Sequence, residues 1–156
     1  MTFRMLGGGP AQASPFCVGP PGACIDPEWL EIRDGAGNTM TTSLGCSLAS
    51  CSDCIQTGCP NICWTSYALQ PTGIERTWNG VNWQGGRSCG TAVACAVADC
   101  APPGSYVARM CGYALVDSDG GLPDCMNGAS PTPTCVEVPF EYPSSETVQA
   151  VLDPTR

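Results

Sequence analysis

The chain contains no histidine and no lysine, and those two gaps exclude more chemistry than any motif in it suggests. Without His, neither a Ser-His-Asp nor a Cys-His nucleophile can be assembled. Without Lys, Schiff-base and Ser-Lys chemistry are excluded as well. Charge is also scarce: Asp, Glu, Lys and Arg make up 13% of the 156 residues, about half the share usual in a soluble domain. Six arginines stand against fourteen carboxylates, for a net charge of −8. There is no basic stripe, so nucleic acid and anionic lipid find no electrostatic support. The acidic balance serves solubility. Long apolar runs are missing too. No stretch could span a bilayer, and Met1-Thr-Phe-Arg-Met-Leu6 followed by Gly7-Gly-Gly-Pro10 lacks the apolar core of an export signal. Ser14-Pro-Phe-Cys17 is a poor lipoprotein box, because bulky Phe16 stands where a small residue is needed.

What the chain has in abundance is cysteine, thirteen residues of it, alongside nineteen glycines and fifteen prolines. Cytosolic thiols stay reduced, so this usage points to an extracytoplasmic place: secreted, periplasmic or at the cell surface. An export leader is then expected upstream of Met1. Cys17, Cys24, Cys46, Cys51, Cys54, Cys59, Cys63, Cys89, Cys95, Cys100, Cys111, Cys125 and Cys135 are all disulfide candidates, and spacing alone gives no connectivity. An odd number leaves one thiol over, available for an intermolecular disulfide.

Glycine and proline in such numbers suggest short strands and many turns, in one domain. Residues 1–16 read as a flexible lead-in and residues 17–152 as a single disulfide-stabilised β domain. Cys17 to Cys24 is a turn-rich loop that a disulfide could close. Trp29 to Arg33 alternates as a strand with Leu30 and Ile32 inward and Trp29 outward. Asp34 to Asn38 is a turn, and Thr39 to Leu44 a returning strand. Cys46 to Cys63 is a cysteine-dense loop with too few apolar residues to hold itself by burial. Trp64 to Leu69 is a further strand. Asn79-Gly80, between Ile74–Trp78 and Val81–Trp83, carries the signature of a type I′ hairpin turn. Cys89 to Cys100 is a small-residue segment, read as loop-like.

Tyr106 to Val116 is the longest strand expected, with Tyr106, Ala108, Met110, Gly112, Ala114 and Val116 forming one small or apolar face. Asp117 to Ser130 is an acidic, glycine-rich loop. Cys135 to Tyr142 alternates most cleanly, with Val136, Val138, Phe140 and Tyr142 inward. Pro139 removes a ladder donor and marks it as a sheet edge. Glu146 to Leu152 suits either a last strand or a helical turn.

About seven short strands separated by turns suggest a β-sandwich. Trp78-Asn-Gly80, a loop, then Pro103-Gly-Ser-Tyr106-Val-Ala-Arg109 resembles the latter half of bacterial immunoglobulin-like domains of envelope and secreted proteins, of the flagellar-hook-cap and proteinase-inhibitor types. The resemblance covers roughly residues 74–116. It implies an all-β, immunoglobulin-like sandwich, here disulfide-rich and carrying long cysteine-dense loops that are foreign to those families.

Few constellations could carry chemistry. Glu28 with Glu31, and Glu137 with Glu141, are the nearest carboxylate pairs for glycoside hydrolysis, and as exposed strand residues they suit solvation better. Cys51-x2-Cys54 and Cys59-x3-Cys63 could hold a soft metal as thiolates, or form short-loop disulfides. Asp117, Asp119 and Asp124 could offer oxygen ligands to calcium, the first two at alternate positions, although Gly121 stands at the third alternate position and Gly128 where a closing Glu is needed. A solvated acidic turn explains them equally. Trp78 and Trp83 could form a binding patch on the surface or pack into the sheet. The expected function is therefore a non-enzymatic module, recognising a protein or carbohydrate at a cell surface through disulfide-held loops, without a cofactor. A proteinase inhibitor presenting a rigid loop within Cys46–Cys63, and a thiolate metal-binding protein, are the alternatives.

Overall fold

The small and apolar face expected along Tyr106–Val116 runs down the central strand of the protein. A computed structural model describes residues 1–8, 16–19, 28–44, 49–52, 54–55, 67–70, 72–89, 93–115, 125 and 129–153 of the chain. Among these residues there is no helix, and twelve strands are formed. They are β1 (Thr2–Gly7), β2 (Phe16–Val18), β3 (Leu30–Asp34), β4 (Thr39–Met40), β5 (Ala49–Ser50) and β6 (Tyr67–Ala68). The second half of the chain supplies β7 (Ile74–Thr77), β8 (Val81–Cys89), β9 (Val93–Cys100), β10 (Gly104–Leu115), β11 (Ala129–Tyr142) and β12 (Thr147–Leu152). Val116, Asp117, Asp119, Asp124 and Cys24, Cys46, Cys59 and Cys63 lie outside the described residues.

β10 organises the largest sheet. Along one edge it pairs antiparallel with β11, from Gly104 opposite Tyr142 to Tyr113 opposite Pro133. Its other edge is shared: β3 takes Tyr106 to Met110, and β2 takes Tyr113 and Ala114. β4 and β6 extend this sheet on either side. A strand bordered on both edges buries its inward face fully, and Tyr106, Ala108, Met110 and Gly112 are all buried. At Gly112 the approach is so close that a β-carbon would lie 2.5 Å from the Leu152 side chain.

The second sheet has the order β12-β1-β7, with β1 parallel to β12 and antiparallel to β7. Its inward residues share one core with the β10 sheet: Phe3, Met5, Val148, Ala150 and Leu152 pack with Ile32, Ala108, Met110 and Phe140. Each such side chain, fully buried, contributes on the order of 1.5–3 kcal/mol. Residues 2–7 are therefore not a lead-in. Phe3 and Met5 are 0% exposed, and Thr2–Gly7 is the middle strand of its sheet. Glu146–Leu152 resolves in favour of a strand, since β12 alternates exposed and buried residues along its whole length.

The third sheet, β5-β9-β8, joins a parallel and an antiparallel pair. It corrects two expectations. Asn79-Gly80 does not close a hairpin, because β7 pairs with β1 whereas β8 pairs with β9. The turn carries the chain from one sheet to another: Gly80 has φ +80°, Val81 N–H donates to Asn79 Oδ1 at 3.2 Å, and the Trp78 indole N–H donates to Val81 O at 2.8 Å. The segment Cys89–Cys100 is likewise no loop. Most of it is β9, which stands between β8 and β5.

Smaller differences follow from packing. Trp29, expected outward, is buried. The return strand after the Asp34–Asn38 turn is confined to Thr39–Met40, while the turn itself forms around Asp34 Oδ1, which accepts from Ala36 and Asn38 N–H at 2.9 and 2.8 Å.

Pro139 does sit at a sheet edge. Cys111 N–H donates to Trp29 O at 2.9 Å, so the Cys111–Cys135 pair turns its backbone groups away from each other. Pro133 and Pro139 share the phase of Cys135, and their missing N–H groups fall on the open side of β11. Among the described residues no strand pairs with that side of β11, and an edge short of donors is a poor template for one.

Candidate functional site

Four disulfides are formed among the described residues: Cys17–Cys125, Cys51–Cys95, Cys54–Cys89 and Cys111–Cys135. Cys17 therefore does not close the short loop to Cys24. It reaches a residue 108 positions away, from a fully buried place in β2. Cys111–Cys135 staples β10 directly to β11, so the bridges are not confined to poorly packed loops. Cys100, at the end of β9, carries a free, exposed thiol.

Two of these bridges brace one surface segment from both ends. Cys51 and Cys54, only three residues apart, are tied to different strands of the third sheet, Cys95 in β9 and Cys89 in β8. The intervening turn is knitted by backbone bonds from Cys54 N–H to Ser50 O at 2.8 Å and from Cys51 N–H to Ala96 O at 2.9 Å. The Ser50 and Ser52 hydroxyls meet at 2.7 Å. Cys54 has φ +58°, the only positive value at a described residue other than glycine. Ile55 leaves this turn with 65% of its surface exposed. Because Cys51 and Cys54 are oxidised, that pair has no thiolates to offer a metal. Among the described residues no group of three His, Cys, Asp or Glu side chains converges on a point.

Sequence reasoning did not single out Ile55. Its only signal was an aliphatic next to cysteine in a polar stretch, a signal shared by Ile25 and Ile62.

A second cluster occupies the outer face of the β3-β10-β11 layer. Registry sets Arg109 between Glu31 and Glu137. Arg33 Nε reaches Glu31 Oε1 at 2.6 Å, and its Nη1 reaches Glu137 Oε1 at 3.2 Å. Arg109 Nη1 lies 3.4 Å from Glu31 Oε2. Thr39 Oγ1 donates to Glu31 Oε1 at 2.9 Å. The hydrogen bond from Arg33, with that from Thr39 and the charges of both arginines, outweighs burial and holds the Glu31 carboxyl below its ordinary value. Two positive and two negative side chains thus neutralise one another. Glu31 is kept ionised, which is the wrong state for a general acid. Glu141 is also engaged, accepting from the Ser105 hydroxyl at 2.5 Å. Beside this cluster a groove of about 300 Å³ is lined by Glu28, Leu30, Glu31 and residues 39–43.

The two tryptophans part company. Trp78 is 2% exposed and packs against Tyr142 at a centroid distance of 4.9 Å and Tyr106 at 5.9 Å. It belongs to the core and offers no binding face. Trp83 is half-buried in β8, opposite Ala98, with its backbone N–H donated to Thr41 O at 2.8 Å. No aromatic patch joins them. The candidate calcium ligands Asp117, Asp119 and Asp124 lie outside the described residues.

Comparison with protein-family models, with curated proteins and with solved structures yields no match for this chain.

Proposed function

We propose that the chain is a non-enzymatic binding or structural module that works outside the cytoplasm, on an immunoglobulin-like sandwich scaffold. The observation that carries this reading is the double bracing of Cys51 and Cys54 onto the third sheet. Covalent cross-links hold a surface turn in one conformation, and such preorganisation benefits recognition by lowering the ordering cost of binding. Oxidised cysteines in both buried and surface positions suit an oxidising compartment. The mutual neutralisation of Glu31, Arg33, Arg109 and Glu137 supports a structural rather than catalytic role for the best-placed carboxylates.

Several features favour the immunoglobulin-like scaffold. The Tyr106 hydroxyl donates to Pro102 O at 2.7 Å, the backward bond from a strand-initiating tyrosine that defines a tyrosine corner. Trp78 packs on that tyrosine, and the β1 and β10 sheets share one core.

The proteinase-inhibitor alternative finds less support in residues 51–55. A proteinase cleft grips extended backbone, whereas Cys54 is left-handed. An inhibitory bond would have to lie elsewhere in Cys46–Cys63.

Intact mass before and after reduction and alkylation tests the module. Native protein should resist alkylation at all eight cysteines paired in the four described bridges. Recovery of those cysteines as free thiols from the organism's own protein would overturn the reading.

A further inference from the structure

We infer that two copies of the chain associate edge to edge through β12, antiparallel across a two-fold axis. Gln149 then stands opposite the partner's Gln149, and Thr147 opposite the partner's Val151. An edge strand presents a row of unpaired N–H and C=O groups, and proteins blunt such edges with proline, charge, bulges or very short strands. Every other sheet edge among the described residues carries one of these devices. β11 has Pro133 and Pro139. β7 carries Glu75 and Arg76. β8 breaks register between Gln84 and Arg87, and its Trp83 N–H is already donated to Thr41 O. β4, β5 and β6 are each 2 residues long.

β12 has none of them. Its 6 residues contain no proline and no charge, and its register against β1 is unbroken. No described strand pairs with its other side. Gly8 N–H donates to Leu152 O at 2.6 Å, so Leu152, and with it Ala150 and Val148, turns its backbone groups toward β1. Those of Thr147, Gln149 and Val151 therefore point to the open side. The side chains of the same three residues are exposed, Val151 at 50%. Nor does β11 close on this side. A cavity of about 490 Å³ lies between Val151 and Asp153 and residues 134–137 of β11.

The residues of the edge select a second copy as its occupant. Antiparallel pairing about Gln149 sets Thr147 against Val151 twice and the two glutamines against each other. No like charges meet anywhere in that register, and the β-branched pairs suit a sheet surface. All three residues facing the edge become hydrogen-bonded pairs, which satisfies their N–H and C=O groups without moving the strand. The contact is isologous, as a two-fold axis requires. One added ribbon buries less than the roughly 1,200 Å² of stable complexes, so association is weak and depends on concentration.

The test uses Cys100→Ser protein, which removes the exposed thiol. Sedimentation between about 10 μM and about 1 mM should show a monomer–dimer equilibrium. In hydrogen exchange, the amides of Thr147, Gln149 and Val151 should gain protection as concentration rises. Those of Ala150 and Leu152 should be protected throughout, and those of Cys135 and Glu137 should not change. Gln149→Pro deletes an N–H that β1 does not use, as Pro139 does on the open side of β11. Losing both hydrogen bonds of the central pair should raise the dissociation constant by about 30-fold. Gln149→Lys sets two like charges opposite each other and should raise it several-fold, while Thr147→Val leaves it nearly unchanged. An unchanged circular dichroism spectrum of each diluted variant confirms that the monomer is folded. A monomer throughout the range, a dimer without added protection at Gln149, or a dissociation constant unmoved by Gln149→Pro and Gln149→Lys overturns the inference. None of these results touches the module reading, which fails only in the mass measurement.

Discussion

Gly80 lies directly beneath the phenol of Tyr142: a β-carbon at position 80 would overlap the Tyr142 hydroxyl, and the residue's φ is +80°. The same ring contacts Trp78, so one glycine sets how closely the connection from the second sheet to the third approaches the end of β11. Gly80→Ala should therefore carry two penalties. Left-handed backbone costs about 1–2 kcal/mol, and overpacking adds about 1–3 kcal/mol. Urea denaturation should show a loss of about 2–5 kcal/mol. In a Tyr142→Ala background, the same substitution should cost only the backbone share. An equal cost in both backgrounds would mean that the Tyr142 contact plays no part.

Phe3 supplies a second test, because its ring meets Phe140 edge-on at 5.2 Å in the centre of the core. Phe3→Ala should destabilise the protein by about 3–5 kcal/mol, the usual cost of deleting a buried ring. Removing residues 1–7 should be worse, since it takes out the strand between β12 and β7. A denaturation midpoint unchanged by Phe3→Ala would contradict the placement of β1.

These two elements show where the sequence was readable. The faces of β10 and β11 were legible because period-two alternation is a local property, written in Tyr106–Leu115 and Cys135–Tyr142 themselves. The identity of a strand's neighbour is not local. β1 looked like a lead-in because it runs into Gly7-Gly-Gly-Pro10, and its parallel partner β12 lies at the opposite end of the chain. Asn79-Gly80 has the composition of a hairpin turn, yet the flanking strands find better partners in β1 and β9. The charged cluster was legible only in part. Alternation placed Glu31, Arg33 and Glu137 on outward faces, and Arg109 opposite the small and apolar face of its strand, but only registry between three strands brings them together. Disulfide pairing was not legible at all, because Cys17 and Cys125 meet through the fold rather than through spacing.

Glu31 gives the protein a predictable acid response. Its carboxyl lies below the ordinary value of 4.5 in the folded state, so the unfolded chain binds the proton more readily. Stability then rises with pH across that interval. The contribution is complete above about pH 4.5 and is lost as pH falls through the lower, folded value. Glu31→Gln should cost about 1 kcal/mol at neutral pH. The gap between variant and wild type should narrow on acidification and in high salt, where these partly exposed pairs are screened. Denaturation midpoints between pH 3 and pH 7 read this directly, and a constant gap would assign the cost to something other than ionisation.

The bridges should differ in their effect on stability. Cys17–Cys125 spans 108 residues, and Cys111–Cys135 spans 24. Chain-entropy estimates give about 4.8 and 3.5 kcal/mol respectively. The first bridge also begins at a fully buried cysteine, whereas the second joins strands already paired along their length. Replacing both members by Ala should accordingly lower the denaturation midpoint more for the first pair than for the second. The opposite order would show that the cross-strand staple, not the long connection, dominates.

Cys100 distinguishes the surface of the third sheet chemically. It ends β9 opposite Val81 with its thiol exposed, while Cys51, Cys54, Cys89 and Cys95 in the same region are paired. Iodoacetamide applied to the native protein should label Cys100 and leave those four untouched until a reductant is added. Because the thiol is accessible, a mild oxidant such as diamide should also join two chains through it. The net charge of −8 should slow that encounter at low ionic strength, and added salt should speed it. Non-reducing electrophoresis of the wild type and of Cys100→Ser reads both effects. A dimer band that survives in Cys100→Ser would move the reactive thiol to another cysteine.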